Sequence, residues 1–142
     1  MTPLEQIFRI HNRPREVTIV LNRVEEFCRV HGFATATVLD VRLVTEEVLT
    51  NVVKYAYEGV GDHSVELRLS ASAQSVRMEF RDEGAPFNPL ALAAPDPSNQ
   101  TGEREIGGLG IHLARSLVDD ASYSREGNVN VLVLIKHVGS TV

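Results

Sequence analysis

The stretch HSVELRLSASAQSVRMEFRDEG, residues 63–84, contains two runs in which apolar and polar residues alternate. Such alternation predicts β-strands that bury one side and expose the other. The small and polar residues of ASAQ separate the runs, so we predict an antiparallel hairpin. The second run ends in RDEG, whose aspartate and glycine are typical of a simple turn. A functional role for these carboxylates is also open, and the choice depends on the rest of the chain.

Two helical patterns precede this hairpin. In the first, apolar residues recur at intervals of three and four between Pro14, which suits a first helical turn, and Gly32, which suits the position after the last turn. The second pattern runs from about Thr37 to Tyr57. Because its valines and threonines have low intrinsic helix propensity, packing must stabilise this helix. A short apolar segment around residues 7–10 predicts a strand before both helices.

The composition changes after the hairpin. From Ala85 to Glu105 the chain carries four of its six prolines and shows no sustained period. A loop of about twenty residues in a compact domain is typical of a lid or a binding element, and we predict a lid at about 85–106. Residues 107–120, GGLGIHLARSLVDD, predict a glycine-rich start to a short helix. Residues 121–136, ASYSREGNVNVLVLIK, predict two strands joined around Gly127.

The predicted order is a strand, two helices, a hairpin, the lid, a helix and a second hairpin. This order favours an α+β fold, a two-layer sandwich whose mainly antiparallel, mixed sheet carries its helices on one face, over a doubly wound fold. A chain of 142 residues can bury about two thirds of its unfolded surface in one core. We therefore expect residues 1–142 to form a single domain.

Composition narrows the class of protein. Fourteen Lys and Arg residues against nineteen Asp and Glu residues give a net charge of −5, and no segment collects a basic patch. Direct contact with nucleic acid is therefore not expected. Cys28 is the single cysteine, and we interpret it as a small core residue in a reducing compartment. With neither a signal-peptide pattern nor an apolar run of about 18 residues, we expect a cytoplasmic protein without a membrane span.

A polar strip on the second helix is the first candidate site. Its members, spaced at four, three and four residues, share one side of the helix beside the apolar stripe. They are Glu47, Asn51, Lys54 and Glu58. Such a strip can line a pocket between helix and sheet, or it can be a solvated edge with hydrogen bonds between successive turns.

Three glycines form the second candidate site. Gly107, Gly108 and Gly110 precede a helical pattern, and glycines at such a position let backbone N–H groups approach a phosphate. Two familiar phosphate motifs are absent. The sequence has no GxxxxGK followed by Ser or Thr, and Leu113 stands where a dinucleotide fingerprint needs its third glycine. A nucleotide at this place would be held in another way.

Three segments together resemble a known family. EEVLTNVVKYAY at 46–57, RDEGAPF at 81–87 and GGLGIHLARSLVDD at 107–120 resemble the N box, the DxGxxF box and the glycine-rich second box of the GHKL nucleotide-binding superfamily. Within it, the chain resembles the small anti-sigma-factor serine kinases of the RsbW and SpoIIAB kind. The resemblance covers essentially the whole chain and implies the Bergerat ATP-binding fold, with ATP and Mg²⁺ as cofactors.

The resemblance implies roles for the residues around the base. Asp82 would accept a hydrogen bond from the adenine amino group. Gly84 would lie against the base without a side chain, and Phe87 would shape the floor of the site where the lid departs.

The resemblance also implies roles around the phosphates. Asn51 would supply an amide oxygen to Mg²⁺, which prefers hard oxygen ligands. Gly108 and Gly110 would lie against the phosphates, and Gly107 would help the lid to hinge. Lys54 and Arg104 would reach phosphates or would only be solvated; both interpretations are open.

Glu47 would be the general base of phosphoryl transfer, because it lies one helical turn from Asn51 and can take the proton of an acceptor hydroxyl. Glu46 is its competitor. The neighbour of Glu46 at four residues is Thr50, a poorer metal ligand than an amide, so the spacing favours Glu47.

The implied function is that of an ATP-dependent protein serine kinase and anti-sigma factor. As a homodimer it would sequester a sigma factor and phosphorylate a serine of an anti-anti-sigma antagonist with a STAS domain. One alternative is a partner-switching module in which ATP orders the lid but no phosphate is transferred. Another is an ATP hydrolase, which would use the same base on water.

Overall fold

The structure is a computed structural model that describes residues 4–11, 13–52, 63–91 and 106–138. It contains one sheet and three helices, with a turn of 3-10 helix at Pro89–Ala91. The elements in chain order are β1 Glu5–His11, α1 Pro14–Val30, α2 Thr35–Asn51, β2 Ser64–Ala71, β3 Ser75–Asp82, α3 Ile106–Ser116, β4 Asp120–Glu126 and β5 Val129–His137. In the described parts of the chain, the helices are too short or too polar to cross a membrane.

The strands form one sheet in the order β1-β2-β3-β5-β4. Both predicted hairpins are confirmed: β2 pairs with β3, and β4 pairs with β5 across a turn at Gly127, whose φ of 63° suits glycine. The α+β prediction is confirmed as well. All four strand pairs in the described sheet are antiparallel, so the sheet is antiparallel throughout rather than mixed. The β4–β5 hairpin causes this, because it reverses the chain before β5 joins β3.

The core lies between the sheet and the helices. Every second residue of β2 and β3 is buried, as the alternation predicts, and Leu67 opposite Phe80 is at the centre. From α2, Val41, Val44 and Val48 are completely buried. Burial of one valine stabilises the fold by about 1.5 to 3 kcal/mol. This exceeds the roughly 0.7 kcal/mol or less that its helix propensity costs, so packing holds α2 as expected.

The ends of α1 agree with the sequence signals. Pro14 occupies the first turn, and Gly32 follows the helix with a φ of 79°, a conformation that favours glycine. Cys28 is completely buried in this helix, and burial raises the pKa of its thiol to about 12, with the nearby Glu25 charge adding to the effect. The interpretation of Cys28 as a core residue is therefore confirmed.

Two predicted boundaries differ from the structure. The helix α2 begins at Thr35 rather than Thr37, and its predicted end at Tyr57 lies outside the described residues. The helix α3 begins at Ile106, which therefore belongs to the helix and not to the predicted lid. The three glycines lie inside the helix rather than before it. Glycine costs a helix about 1 kcal/mol. Burial of Ile111 and Ala114 against the core offsets that cost.

The other face of the sheet carries charged residues around Glu79. Its carboxylate lies 2.9 Å from Arg77 Nη2 and 3.0 Å from Arg81 Nη1. Burial raises the pKa of Glu79, but the hydrogen bonds from Arg81 and Arg77 outweigh it and hold the pKa below the usual range of a glutamate. The charges on this face are thus largely satisfied by one another.

Replacing Leu67 by alanine should lower the free energy of unfolding by about 2 to 5 kcal/mol, because it leaves a cavity in the middle of the core. Urea unfolding followed by circular dichroism measures this. Leu39→Ala is the matched control, since Leu39 is 51% exposed on α2, and it should change the free energy by no more than about 0.5 kcal/mol. Equal losses in the two variants would contradict this description of the core.

Candidate active site

The last turn of α2 contains a buried amide with an unused acceptor. Asn51 is completely buried, and its Nδ2 donates a 2.8 Å hydrogen bond to the backbone oxygen of Glu47. Its Oδ1 has no hydrogen-bond partner among the described residues. A buried polar atom left without a partner costs about 1 to 3 kcal/mol. Such an atom indicates a place where a ligand or a cation would supply the missing interaction.

The Asn51 oxygen suits the metal that the sequence analysis implies. Mg²⁺ prefers hard oxygen ligands and commonly takes only one or two from the protein, with phosphates and water completing the shell. An amide oxygen that is buried and free of competing donors fits this pattern. Asn51 Oδ1 therefore has the chemistry of a Mg²⁺ ligand.

Glu47 lies one turn before Asn51 and contacts α3. A Cβ atom placed on Gly110 would overlap with Oε2 of Glu47 and lie 2.8 Å from its Cδ. Only glycine at position 110 leaves room for the carboxylate in this place. Burial of the Glu47 side chain, together with the charge of Glu46, raises the pKa of Glu47. The packing of α2 on α3 thus brings the candidate base to one of the glycines expected to lie against phosphates.

The two competing glutamates occupy different environments. Glu46 is exposed on α2, whereas Glu47 is half-buried against Gly110. Because a general base must reach a substrate in a protected site, the geometry favours Glu47.

Asp82 ends β3 and is 5% exposed. Its Oδ1 accepts a 2.9 Å hydrogen bond from Gly84 N, so the turn suggested by RDEG does form. Oδ1 also accepts a 3.0 Å hydrogen bond from Asn130 Nδ2. Burial raises the pKa of Asp82, although these two hydrogen bonds and the Arg125 charge counteract it. No described residue donates a hydrogen bond to Oδ2, which leaves this oxygen for a ligand.

Asn130 is a site residue that the sequence analysis missed. It is 3% exposed on β5, directly opposite Asp82. Its Nδ2 donates to Asp82 Oδ1 and, at 2.8 Å, to Ala85 O. Its Oδ1 accepts from Phe87 N at 3.2 Å and from Tyr123 OH at 2.5 Å. One side chain therefore joins the end of β3 to the loop that follows it.

Arg125 was also missed. Its Nη1 donates a 2.8 Å hydrogen bond to Gly84 O, while its Nε donates to Gly127 O at 3.2 Å. Gly84 is buried and is held at both ends of its backbone, through its N–H by Asp82 and through its carbonyl by Arg125. The position of Gly84 is thus set by side chains from two different strands.

Of the remaining predicted site residues, three lie within the described residues and two lie outside them. Phe87 is partly buried against the core beside the 3-10 helix, at the start of the predicted lid. Gly107 and Gly108 lie in the first turn of α3. Lys54 and Arg104 lie outside the described residues.

A cleft of about 400 Å³ lies on the charged face of the sheet, and Asp82 and Glu83 are among the residues that line it. Its lining among the described residues includes neither Glu47 nor Asn51. Arg68 in this cleft is paired with Glu66 at 2.6 Å, so its charge is already compensated. The Asn51 oxygen, which has no partner among the described residues, and the raised pKa of Glu47 favour the helix-covered face as the candidate site instead.

Residues 10–136 match the family model of the histidine kinase-like ATPase domain. The chain belongs to this family. The matched segment contains all the candidate site residues, and the resemblance to the GHKL superfamily is confirmed.

Several relatives of this chain carry kinase names. The serine/threonine-protein kinase BtrW of Bordetella bronchiseptica is 27% identical over 95 residues, covering 67% of this chain and 67% of the relative. The serine-protein kinase RsbW of Listeria monocytogenes is 26% identical over 111 residues, covering 75% and 70%. RsbW of Bacillus subtilis is 23% identical over 127 residues, covering 87% and 79%. The chain is thus similar to protein serine kinases over most of its length.

A solved structure shares the fold. The structure of the RsbU and RsbW domains of Rv1364c from Mycobacterium tuberculosis superimposes on 96% of this chain with a TM-score of 0.64 and 16% identity. The chain spans about a third (33%) of that protein. At this identity the likeness supports the fold alone.

Gly110→Ala should lower the pKa of Glu47 toward the ordinary value of a glutamate. The added methyl group would push the carboxylate toward solvent and reduce the burial that raises its pKa. Alanine favours a helix over glycine by about 1 kcal/mol, so α3 should persist. A ¹³C NMR titration of the Glu47 carboxyl, assigned with Glu47→Gln, measures the shift.

Ser116→Ala, an exposed position on the same helix, is the control for the Gly110 substitution and should leave the titration of Glu47 unchanged. An unaltered pKa in Gly110→Ala would show that the carboxylate does not lie against Gly110.

Proposed function

We propose that this protein is an ATP-dependent protein serine kinase that also acts as an anti-sigma factor. The observation that carries the proposal is the pair on α2. The Asn51 oxygen, unpaired in the ranges that the structure describes, lies one turn from a half-buried Glu47 with a raised pKa. Membership of an ATPase-domain family supports ATP as the nucleotide. The kinase names of the relatives support a protein serine as the acceptor.

In this proposal the adenine ring and the phosphates of ATP bind to different structural elements. Asp82 accepts a hydrogen bond from the adenine amino group, while Gly84 and Phe87 border the base. The glycines of α3 lie along the phosphates, where the positive end of the helix favours anions. These glycines are Gly107, Gly108 and Gly110. Lys54 and Arg104 would add positive charge to the phosphate side.

Glu47 then acts on the acceptor. Its carboxylate takes the proton of a serine hydroxyl as that oxygen attacks the γ-phosphorus. The bond between the γ-phosphorus and the β–γ bridging oxygen breaks, and ADP leaves. A raised pKa brings the carboxylate closer to the pH at which it works and makes it a better proton acceptor. Mg²⁺ held by Asn51 would neutralise charge on the triphosphate.

The proposed partners follow from the likeness to RsbW. A homodimer would sequester a sigma factor in the cytoplasm, and a STAS-domain anti-anti-sigma protein would be both its competitor and its phosphorylation substrate. Residues 1–142 would act as one domain with the predicted lid at about 85–106; residues 92–105 of this lid lie outside the described residues, and Ile106 begins α3. Direct contact with nucleic acid or a membrane is not part of the proposal.

Glu47→Gln should reduce phosphate transfer to the STAS-domain protein by at least about 100-fold, since a general base contributes about 10²- to 10⁴-fold. ATP binding should be nearly unchanged. Transfer of radiolabelled γ-phosphate, measured against pH, tests this. In the wild type the rate should rise with pH as Glu47 loses its proton. The midpoint of that rise should lie above the ordinary pKa of a glutamate, because burial and the Glu46 charge raise the pKa of Glu47.

Glu46→Gln is the matched control for Glu47→Gln, because it makes the same change at the exposed neighbouring residue. This variant should transfer phosphate like the wild type. Normal transfer by Glu47→Gln would reject Glu47 as the base. Release of free phosphate without labelling of any STAS-domain protein would indicate a hydrolase. ATP binding without either reaction would indicate a partner-switching module.

Asn51→Ala should remove the enhancement of ATP binding by Mg²⁺. Loss of groups that form or support a metal site weakens metal affinity by about 10- to 100-fold, and the variant should bind ATP equally with and without magnesium. Calorimetric titration in Mg²⁺ and in EDTA measures both affinities. A magnesium effect of wild-type size in the variant would place the metal elsewhere.

A further inference from the structure

The orientation of the Asn130 amide is fixed by backbone groups. Ala85 O can only accept a hydrogen bond, so Nδ2 must face it, and Phe87 N can only donate, so Oδ1 must face that side. Tyr123 OH supplies the second donor to Oδ1. The side chain is 3% exposed, and each of its four hydrogen-bonding positions is occupied. A buried amide that is satisfied in this way has one stable orientation.

This orientation determines which oxygen of Asp82 is occupied. Since Nδ2 of Asn130 must donate, Oδ1 of Asp82 must accept, and Gly84 N makes the same demand on the same oxygen. Two donors on Oδ1 leave no place there for a proton. Burial raises the pKa of Asp82, while these two hydrogen bonds and the charge of Arg125, whose Nη1 lies 2.8 Å from Gly84 O, counteract the rise. Oδ2 is then the oxygen presented to a ligand, and it accepts a hydrogen bond when Asp82 is ionised.

An acceptor at Oδ2 discriminates between purines. A purine with an amino group at position 6 offers an N–H donor to Oδ2. A purine with a carbonyl at that position would bring two acceptors together, and a purine with only hydrogen there would leave Oδ2 without a donor. Discrimination by a buried polar group of this kind is strong, because the wrong ligand leaves it unpaired.

We propose that Asn130 is a positioning residue that sets the base specificity of this site. It holds Oδ1 of Asp82 so that Oδ2 selects a 6-aminopurine nucleotide, and through Ala85 and Phe87 it holds the loop that forms the neighbouring wall. The inference rests on the proposed function, because it requires that a nucleotide binds at Asp82. It differs from a purely structural role, which would affect every nucleotide equally.

The test compares ATP with purine riboside triphosphate, which lacks the 6-amino group, by calorimetric titration of the full chain. The wild type should bind ATP more tightly by about 5- to 150-fold, the usual effect of one buried hydrogen bond. Asp82→Asn should bring the two affinities close together. If the wild type binds neither nucleotide, the proposed function fails and this inference fails with it.

Asn130→Asp replaces the donor Nδ2 by an oxygen 3.0 Å from Asp82 Oδ1 but keeps an acceptor for Phe87 and Tyr123. The substitution also removes the donor to Ala85 O, so the affinity for both nucleotides should fall, and the ratio of the two affinities is the readout. We expect most of the preference for ATP to be lost at pH 8. The preference should return at lower pH, because two adjacent carboxylates share a proton. That proton restores a donor between them.

Tyr123→Phe is the matched control, since it removes a hydrogen bond from the Oδ1 side of the same amide and leaves the Asp82 contact in place. It should keep the preference for ATP. If Asn130→Asp weakened the binding of both nucleotides equally, or left the preference for ATP unchanged, this proposal would be overturned. ATP binding by the wild type would still support the proposed function. Asn130→Ser, which also removes the amide donor, is judged by the same ratio if Asn130→Asp does not fold.

Discussion

The register between β3 and β5 is the constraint on which the base side of the site depends. It sets Asp82 opposite Asn130 on the helix-covered face of the sheet. A shift of one residue would turn one of the two side chains to the opposite face. The same register sets Phe80 opposite Leu132 and Met78 opposite Leu134 in the core. The burial of these apolar pairs therefore also fixes the geometry of a polar site at the end of the strands.

The phosphate side depends on a second contact, the packing of α2 on α3. Val41, Val44 and Val48 hold α2 against the core. Glu47 lies on the neighbouring side of the helix, where its carboxylate meets Gly110. These two positions are related by the helical period. Consecutive residues such as Glu47 and Val48 are displaced by about 100° around the helix, so they contact different neighbours. The apolar stripe therefore determines which glutamate of the Glu46–Glu47 pair contacts α3.

Local patterns in the sequence predicted the helices and strands well, but they predicted the contacts between these elements poorly. Alternation identified β2 and β3, because each strand is buried on one face only, and the spacing of four identified Glu47 and Asn51 as neighbours. Asn130 could not be identified in this way. Its role depends on Asp82, 48 residues earlier in the chain, and on a strand order in which β5 joins β3. A polar residue in phase with Leu132 and Leu134 was the only local signal. The start of α3 was missed because tertiary packing overrides the low helix propensity of its glycines.

The distribution of polar groups separates the two faces of the sheet. On the charged face, Glu79 and Glu66 are each surrounded by arginines within about 3 Å, and such satisfied pairs gain little from a further ligand. On the helix-covered face, Asn51 Oδ1 lacks a partner within the part of the chain that the structure describes, and burial raises the pKa of both Glu47 and Asp82. A ligand that supplies a cation to Asn51 and a donor to Asp82 would relieve these costs only in the folded state. Its binding would therefore stabilise the fold in proportion to RT ln(1 + [L]/Kd), and the polar groups that weaken the free protein are the ones that a nucleotide would satisfy.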